Sequence, residues 1–276
     1  MGIRKNGKKH TGTDAGRAPA AVPGFRRRNY AGWFNSDIAW MAYRLLIVYA
    51  ALAVCRVIFF IYNHSILGGI GWDEVWPLFK GSVRFDTISI VYANAVFILL
   101  SLFPLRLREK KWWRGLTFGY YIVANSITVA LNLSDAVYYN YTSKRITSEE
   151  IFFADNENSA MLIGKFLWEN WYLVIIGVAM IWGLWIAYRR KAVPRTPIRN
   201  PFVYYPAGTG ILAAVLVLSV GAVRGGFTRT TRPATLHNAL AYTKTPEKAN
   251  LVLSNPFCII RTIKNTAISY EKYFDR

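Results

Sequence analysis

Five runs of nearly continuous apolar sequence divide this chain, at roughly Ala39–Tyr62, Thr87–Phe103, Leu116–Leu133, Trp171–Tyr188 and Val203–Val223. A helix rises about 1.5 Å per residue and needs about 20 apolar residues to cross a bilayer. All five runs are near that length. Their flanks carry Trp33 and Trp40, Trp112 and Trp113, Trp168 and Trp171, Trp185 and Tyr188, and Tyr204 and Tyr205. Such aromatics sit where acyl chain meets headgroup. The expected fold is an all-α membrane protein, with five transmembrane helices and short amphipathic interfacial helices. No internal repeat stands out.

The formal charge of +19 first raises a nucleic-acid partner. The basic residues lie mostly between the apolar runs, not interleaved with aromatics along one face, so no nucleic acid is expected. Their distribution instead sets an orientation. With the amino terminus in the cytoplasm, the inner segments 1–37, 104–115 and 189–202 carry eighteen Lys and Arg. The outer loops 63–86 and 134–170 carry five. That is the bias of a polytopic membrane protein, and an odd number of spans places the carboxyl terminus outside. Three parts follow: a basic, disordered cytoplasmic tail (1–37), a five-helix membrane domain (38–223) and an extracytoplasmic linker (224–276). The first apolar run is too long for a signal peptide and reads as a retained anchor. The linker begins Arg224-Gly225-Gly226-Phe227. It continues with two amphipathic pieces near Pro246–Leu253 and Pro256–Ala267, split by Asn255-Pro256. Its apolar residues are too few for a core of their own, so it lies on the membrane face or docks elsewhere.

Catalytic groups are sparse. Cys55 and Cys258 are the only cysteines, and His10, His64 and His237 the only histidines. No set has nucleophile–base or metal-ligand spacing, so no catalytic residue, metal site or cofactor is expected in this chain. Glu149, Glu150, Asp155 and Glu157 read as a solvated acidic face.

Ionisable groups beside the spans are more informative, since they are costly in lipid without a partner. Arg44, in the first turns of span one, is expected to snorkel to headgroups. Arg56 and Asp86 lie at similar depth below the outer face, so an Arg56–Asp86 or Arg84–Asp86 ion pair is expected. The glycines Gly68, Gly69 and Gly71 read as a turn, and Trp72 to Phe79 as a short interfacial helix. Asn132, Asp135 and Tyr139 share a helix face, with Lys144 and Arg145 just beyond. Lysine and arginine are the side chains that hold phosphate. Arg84, Asp86, Asp135, Lys144 and Arg145 are therefore a candidate lipid-headgroup site.

The run Gly81-Ser82-Val83-Arg84-Phe85-Asp86 resembles a G-x-x-R-F-D segment of lipoteichoic acid synthase-like membrane sulfatases. Asp135, Tyr138, Tyr139 and Lys144-Arg145-Ile146-Thr147 are similar to the end of the third span there, and Arg224 through Phe257 to the linker after the fifth. The likeness covers residues 39–276. It implies five membrane helices of the bacterial inner (plasma) membrane, followed by an extracytoplasmic catalytic domain of the alkaline phosphatase and sulfatase superfamily. It also implies phosphoglycerol or related headgroup transfer from a phospholipid, with a threonine nucleophile and a divalent metal such as manganese. The sequence ends at Arg276, where that domain begins in the family, so no nucleophile or metal ligand carries over. The expectation is a membrane-anchoring domain without its catalytic part, its partners being membrane phospholipid and a separate or missing sulfatase-like domain. The alternative is a standalone multi-pass scaffold or transporter subunit.

Overall fold

The structure, a computed structural model, describes residues 30–152, 168–189, 200–228 and 233–263, and it is helical with no strand among them. In order, the helices are α1 (Tyr30–Tyr62), α2 (His64–Leu67), α3 (Trp72–Ala93), α4 (Ala95–Leu102), α5 (Lys111–Thr142), α6 (Ser148–Phe152), α7 (Trp171–Arg189), α8 (Pro201–Arg224), α9 (Pro246–Val252) and α10 (Asn255–Thr262). Two 3-10 turns stand between them, Arg106–Glu109 and Leu236–Tyr242. Four helices are long and apolar enough to cross a membrane, within α1, α5, α7 and α8. The pair α3 and α4 makes a fifth crossing if it is one bent span. The chain is an all-α membrane protein.

Several boundaries differ from those read off the apolar runs. Helix α1 begins at Tyr30, inside the stretch assigned to the tail; residues 1–29 lie outside the described residues. Helix α5 has 32 residues, where the apolar run ended at Leu133. At helical rise it is about 48 Å long against ~30 Å of hydrocarbon, so it projects well beyond one face. Its polar last turns, Asp135 to Thr142, lie beyond that apolar run, and the helix face expected for Asn132, Asp135 and Tyr139 is formed there. They stay helical because Asp135, Ala136 and Tyr139 are buried against other protein.

The aromatic stretch from Trp72 is likewise not a separate interfacial helix. It is the first two turns of α3, opened by the Gly71 N–H donating to Glu74 Oε2 at 3.1 Å. The second span is broken instead at Asn94, where α4 turns away by 63°. The Tyr120 hydroxyl donates to the Ala93 carbonyl at 3.0 Å beside the break. Asn94 and Asn125, both fully buried, exchange amide hydrogen bonds of 3.1 and 2.9 Å. An inserted side chain that takes a backbone carbonyl is a usual cause of such a kink.

Helix α5 is the axis of the bundle, packed on α1, α4, α7 and α10. Buried side chains form two cores. One lies within the membrane helices, with Val48, Leu52, Phe97, Tyr121 and Val129 at its centre. The other joins Phe59, Phe85, Ile88 and Tyr139 to Leu251, Val252, Phe257 and Cys258 of the carboxyl-terminal segment. Of the two places expected for this segment, the membrane face or a docking site, it takes the second: it packs on the bundle as one wall of its second core. Residues 264–276, which held the end of the second amphipathic piece, lie outside the described residues.

Candidate functional site

The second core is built around the exit of helix α9. The last four carbonyls of any helix have no partner within it. In α9 and the residue after it, these are the carbonyls of Asn250, Leu251, Val252 and Leu253, and two arginines take all four. Arg56, from α1, donates through Nε to Leu251 O at 2.8 Å and through Nη2 to Val252 O at 3.3 Å. Arg145, from the connection after α5, donates to Asn250 O and, at 2.8 Å, to Leu253 O. Cations at a helix carboxyl terminus also face the negative end of its dipole.

Each arginine brings a carboxylate. Arg56 grips Asp86 of α3 with two bonds of 2.6 Å, Nη1 to Oδ2 and Nη2 to Oδ1. Arg145 Nη1 is bonded to Asp135 Oδ2, and the Ile146 N–H donates to Asp135 Oδ1 at 2.7 Å. The Arg145 guanidinium also lies over the Phe59 ring, 3.9 Å from its centroid. Charges this deeply placed need paired partners and saturated hydrogen bonds. Here each guanidinium divides its donors between a carboxylate and the end of α9.

Gly81-Ser82-Val83-Arg84-Phe85-Asp86 is the seat for the same segment. A Cβ on Gly81 would lie 2.6 Å from Val252 Cγ1 and 2.7 Å from the Tyr242 ring, so only glycine permits this approach. Phe85 stacks edge-on to Phe257, with centroids 4.9 Å apart. Arg84 does not reach Asp86; its Nη1 donates to the Tyr242 hydroxyl at 3.0 Å. One turn on, the Ser89 and Ser254 hydroxyls share a bond of 2.5 Å. From α5, Asn132 Oδ1 accepts the Asn255 N–H at 3.1 Å, and the Tyr139 hydroxyl accepts from Asn250 Nδ2 at 3.2 Å.

Of the five residues expected at one headgroup site, then, four turn their polar atoms inward. Asp86 and Asp135 are 3% and 0% exposed and bonded to arginine. Arg145 is spent on Asp135 and the α9 carbonyls, and Arg84 on Tyr242. Lys144 alone stays exposed. Glu150 is not part of a free acidic face either, since its Oε2 accepts the Thr147 N–H at 2.8 Å and is bonded to the Thr147 hydroxyl. Asp155 and Glu157 lie outside the described residues.

Arg44 does not snorkel. It is 6% exposed, and its guanidinium carbon lies 3.7 Å from the centroid of the Tyr188 ring. The aromatic face shields the charge within the bundle, where headgroup contact was expected. The amide pair Asn94–Asn125 was missed in the sequence, though two amides inside apolar runs are a readable signal. The cysteines are free and buried, and burial pushes the Cys258 thiol up to about 12, which leaves it no thiolate at neutral pH. Among the described residues, no three His, Cys, Asp or Glu side chains gather as a metal site.

The chain matches no family model, no curated protein and no solved structure.

Proposed function

We propose that this chain is the membrane-anchoring part of a lipid-headgroup transferase of the lipoteichoic acid synthase-like sulfatase kind. In this reading it lies in a bacterial inner membrane, with its amino terminus cytoplasmic and α9 and α10 on the outer side. It carries no catalysis of its own. It holds a catalytic domain, in continuation or as a separate chain, at the lipid surface where phosphoglycerol or a related headgroup is transferred. The manganese-type metal and the threonine nucleophile belong to that domain.

One observation carries the reading: residues 246–262 are locked into the bundle. Arg56 and Arg145 clamp α9. At the far end, the Ser148 N–H donates to Thr262 Oγ1 of α10 at 2.9 Å. Whatever follows α10 leaves from a fixed point beside the bilayer, which is what a surface-acting domain requires of its anchor. The G-x-x-R-F-D resemblance falls on the residues that make this dock.

The bend at Asn94 favours a second reading, a transporter subunit or scaffold, because transporters build midplane sites from broken helices. Against it, the Asn94 and Asn125 amides bind one another. The reading frame 3′ of codon 276 and its neighbours separates the two. A sulfatase-type domain in frame or adjacent supports the first reading, and a permease or ATPase partner overturns it. Orientation is tested by thiol labelling of Ser143→Cys in intact cells. Cys55 and Cys258 are buried and give little background. Labelling from outside is the expected result.

A further inference from the structure

The end of the bundle that grips α9 also holds a cleft that the clamp leaves open. It measures about 440 Å³ and lies between the α5–α6 connection and the segment from Leu236 to Cys258. That size is in the range of small-ligand sites. Its apolar lining includes Leu236, Leu240, Leu253 and Cys258, and its polar lining includes Ser143, Lys144, Thr147, Glu150 and His237.

The charges divide into spent and free. Arg145 is committed to Asp135 and the α9 carbonyls, and Glu150 to Thr147. The Lys144 ammonium, the His237 imidazole and the Ser143 hydroxyl are exposed, and none is bonded or ion-paired among the described residues. The backbone places Ser143 and Lys144 there at a cost. Ser143 is the one non-glycine residue with positive φ among the described residues, at +54°. Its N–H caps α5 through Tyr139 O at 2.8 Å, and the chain turns into the cleft wall at Lys144. A left-handed non-glycine residue costs roughly 1–2 kcal/mol, a strain that tends to collect where chain direction serves a ligand.

We propose that this cleft binds a phosphate-bearing headgroup, with Lys144, His237 and Ser143 around the phosphate and the apolar lining against the adjoining carbon chain. A lysine supplies the point charge, and imidazole and hydroxyl supply donors. The nearest acid is held back by its own hydrogen bonds. The site keeps one residue of the five expected from sequence, Lys144, and adds His237 from a segment 93 residues later. The inference rests on the lipid-headgroup reading above and gives it a place.

The test uses the full chain purified in a neutral maltoside and examined by native mass spectrometry. The probes are phosphatidylglycerol, diacylglycerol with the same acyl chains, and sn-glycerol 1-phosphate. Phosphatidylglycerol is retained and diacylglycerol is not. The double variant Lys144→Ala/His237→Ala lowers retention by about tenfold or more, as expected for two lost charge-assisted contacts. Lys80→Ala, at an exposed lysine stacked near Trp76, leaves retention unchanged. Displacement of the lipid by glycerol phosphate shows that the phosphate alone is recognised; failure of displacement shows that the ligand comes from the membrane. Equal retention by the double variant, or diacylglycerol binding as well as phosphatidylglycerol, overturns the site. Both substituted residues are exposed, and unchanged circular dichroism checks that the fold is kept. The reading-frame test does not depend on the cleft, so failure here leaves the anchor reading standing.

Discussion

Arg145 and Arg44 are buried to nearly the same degree in one bundle, at 7% and 6% exposure, yet different chemistry holds them. Arg145 has a carboxylate, two backbone carbonyls and an aromatic face. Arg44 has the face of Tyr188 and no hydrogen bond from its guanidinium among the described residues. The first arrangement ties three separate stretches of chain together: α5, the connection after it, and α9. The second joins only α1 to α7. A buried arginine is thus no single kind of feature. Its consequence depends on how many buried groups become unpaired when it is removed.

The largest expected effect follows from that count. Arg145→Ala leaves Asp135 buried and charged and strips two carbonyls of their donors, so it should cost about 3–5 kcal/mol. Thermal unfolding in detergent and limited proteolysis after α8 measure it, and residues 233–263 should be the first released. If the variant unfolds no earlier than wild type, the clamp is not what holds the segment. Pairing Arg145→Met with Asp135→Asn sharpens the point. It removes the orphan charge but not the orphan carbonyls, so part of the stability should return while the protease sensitivity remains.

A smaller effect is expected where no charge is involved. Gly81→Ala places a methyl 2.6 Å from Val252 Cγ1, and overpacking of that kind costs about 1–3 kcal/mol. The released segment should be the same one as in Arg145→Ala, because Gly81 and the clamp both hold the end of α9. If a different part of the chain loosens, the seat and the clamp are independent structures.

How much of this could be read in the sequence depends on what carries the information. Apolar run length shows the membrane helices, since lipid thickness sets it. Depth in those runs shows that Arg56 and Asp86 are expensive and need partners. Nothing in the residues shows that the partners include carbonyls 250–253, because every residue has a carbonyl and only tertiary folding decides which end up unpaired. The same blindness places Asp135 and Arg145 at a headgroup site on residue type alone. It also leaves out His237, which comes to line one cleft with Lys144 only after the chain has turned back onto α3 and α5. Helix boundaries are blurred for a related reason: the apolar run stops at Leu133, and the spacing of Asn132, Asp135 and Tyr139 marks a helix face without showing what buries it.

At the opposite end of the comparison, Arg44→Met should change stability by about 1 kcal/mol or less. It gives up a cation–π contact of about 0.5–2 kcal/mol but also the burial of a charge, and methionine keeps most of the side-chain volume. No carboxylate is orphaned. A loss as large as that of Arg145→Ala would mean that Arg44 has a partner beyond the Tyr188 ring and would erase the distinction between the two ends.

The smallest effect expected is a dependence on pH at the connection between α5 and α6, close to the clamp but outside it. Burial raises the pKa of Glu150, but hydrogen bonds from the Thr147 hydroxyl and N–H outweigh it and hold the carboxyl below its ordinary value. A depressed carboxylate pKa contributes stability above the unfolded value, and that stability is lost as pH falls through the folded one. The connection should therefore loosen on acidification through and below the usual glutamate range. Its charged and titratable neighbours are Tyr138, hydrogen-bonded to Glu150, and Lys144, Arg145, His237 and Cys258 around the cleft. Amide exchange at Thr147, corrected for intrinsic rate, reads the change directly. Glu150→Gln keeps an acceptor for the Thr147 N–H but cannot titrate, so its Thr147 protection should not vary over the acid range. If the variant shows the wild-type profile, the dependence belongs to another group.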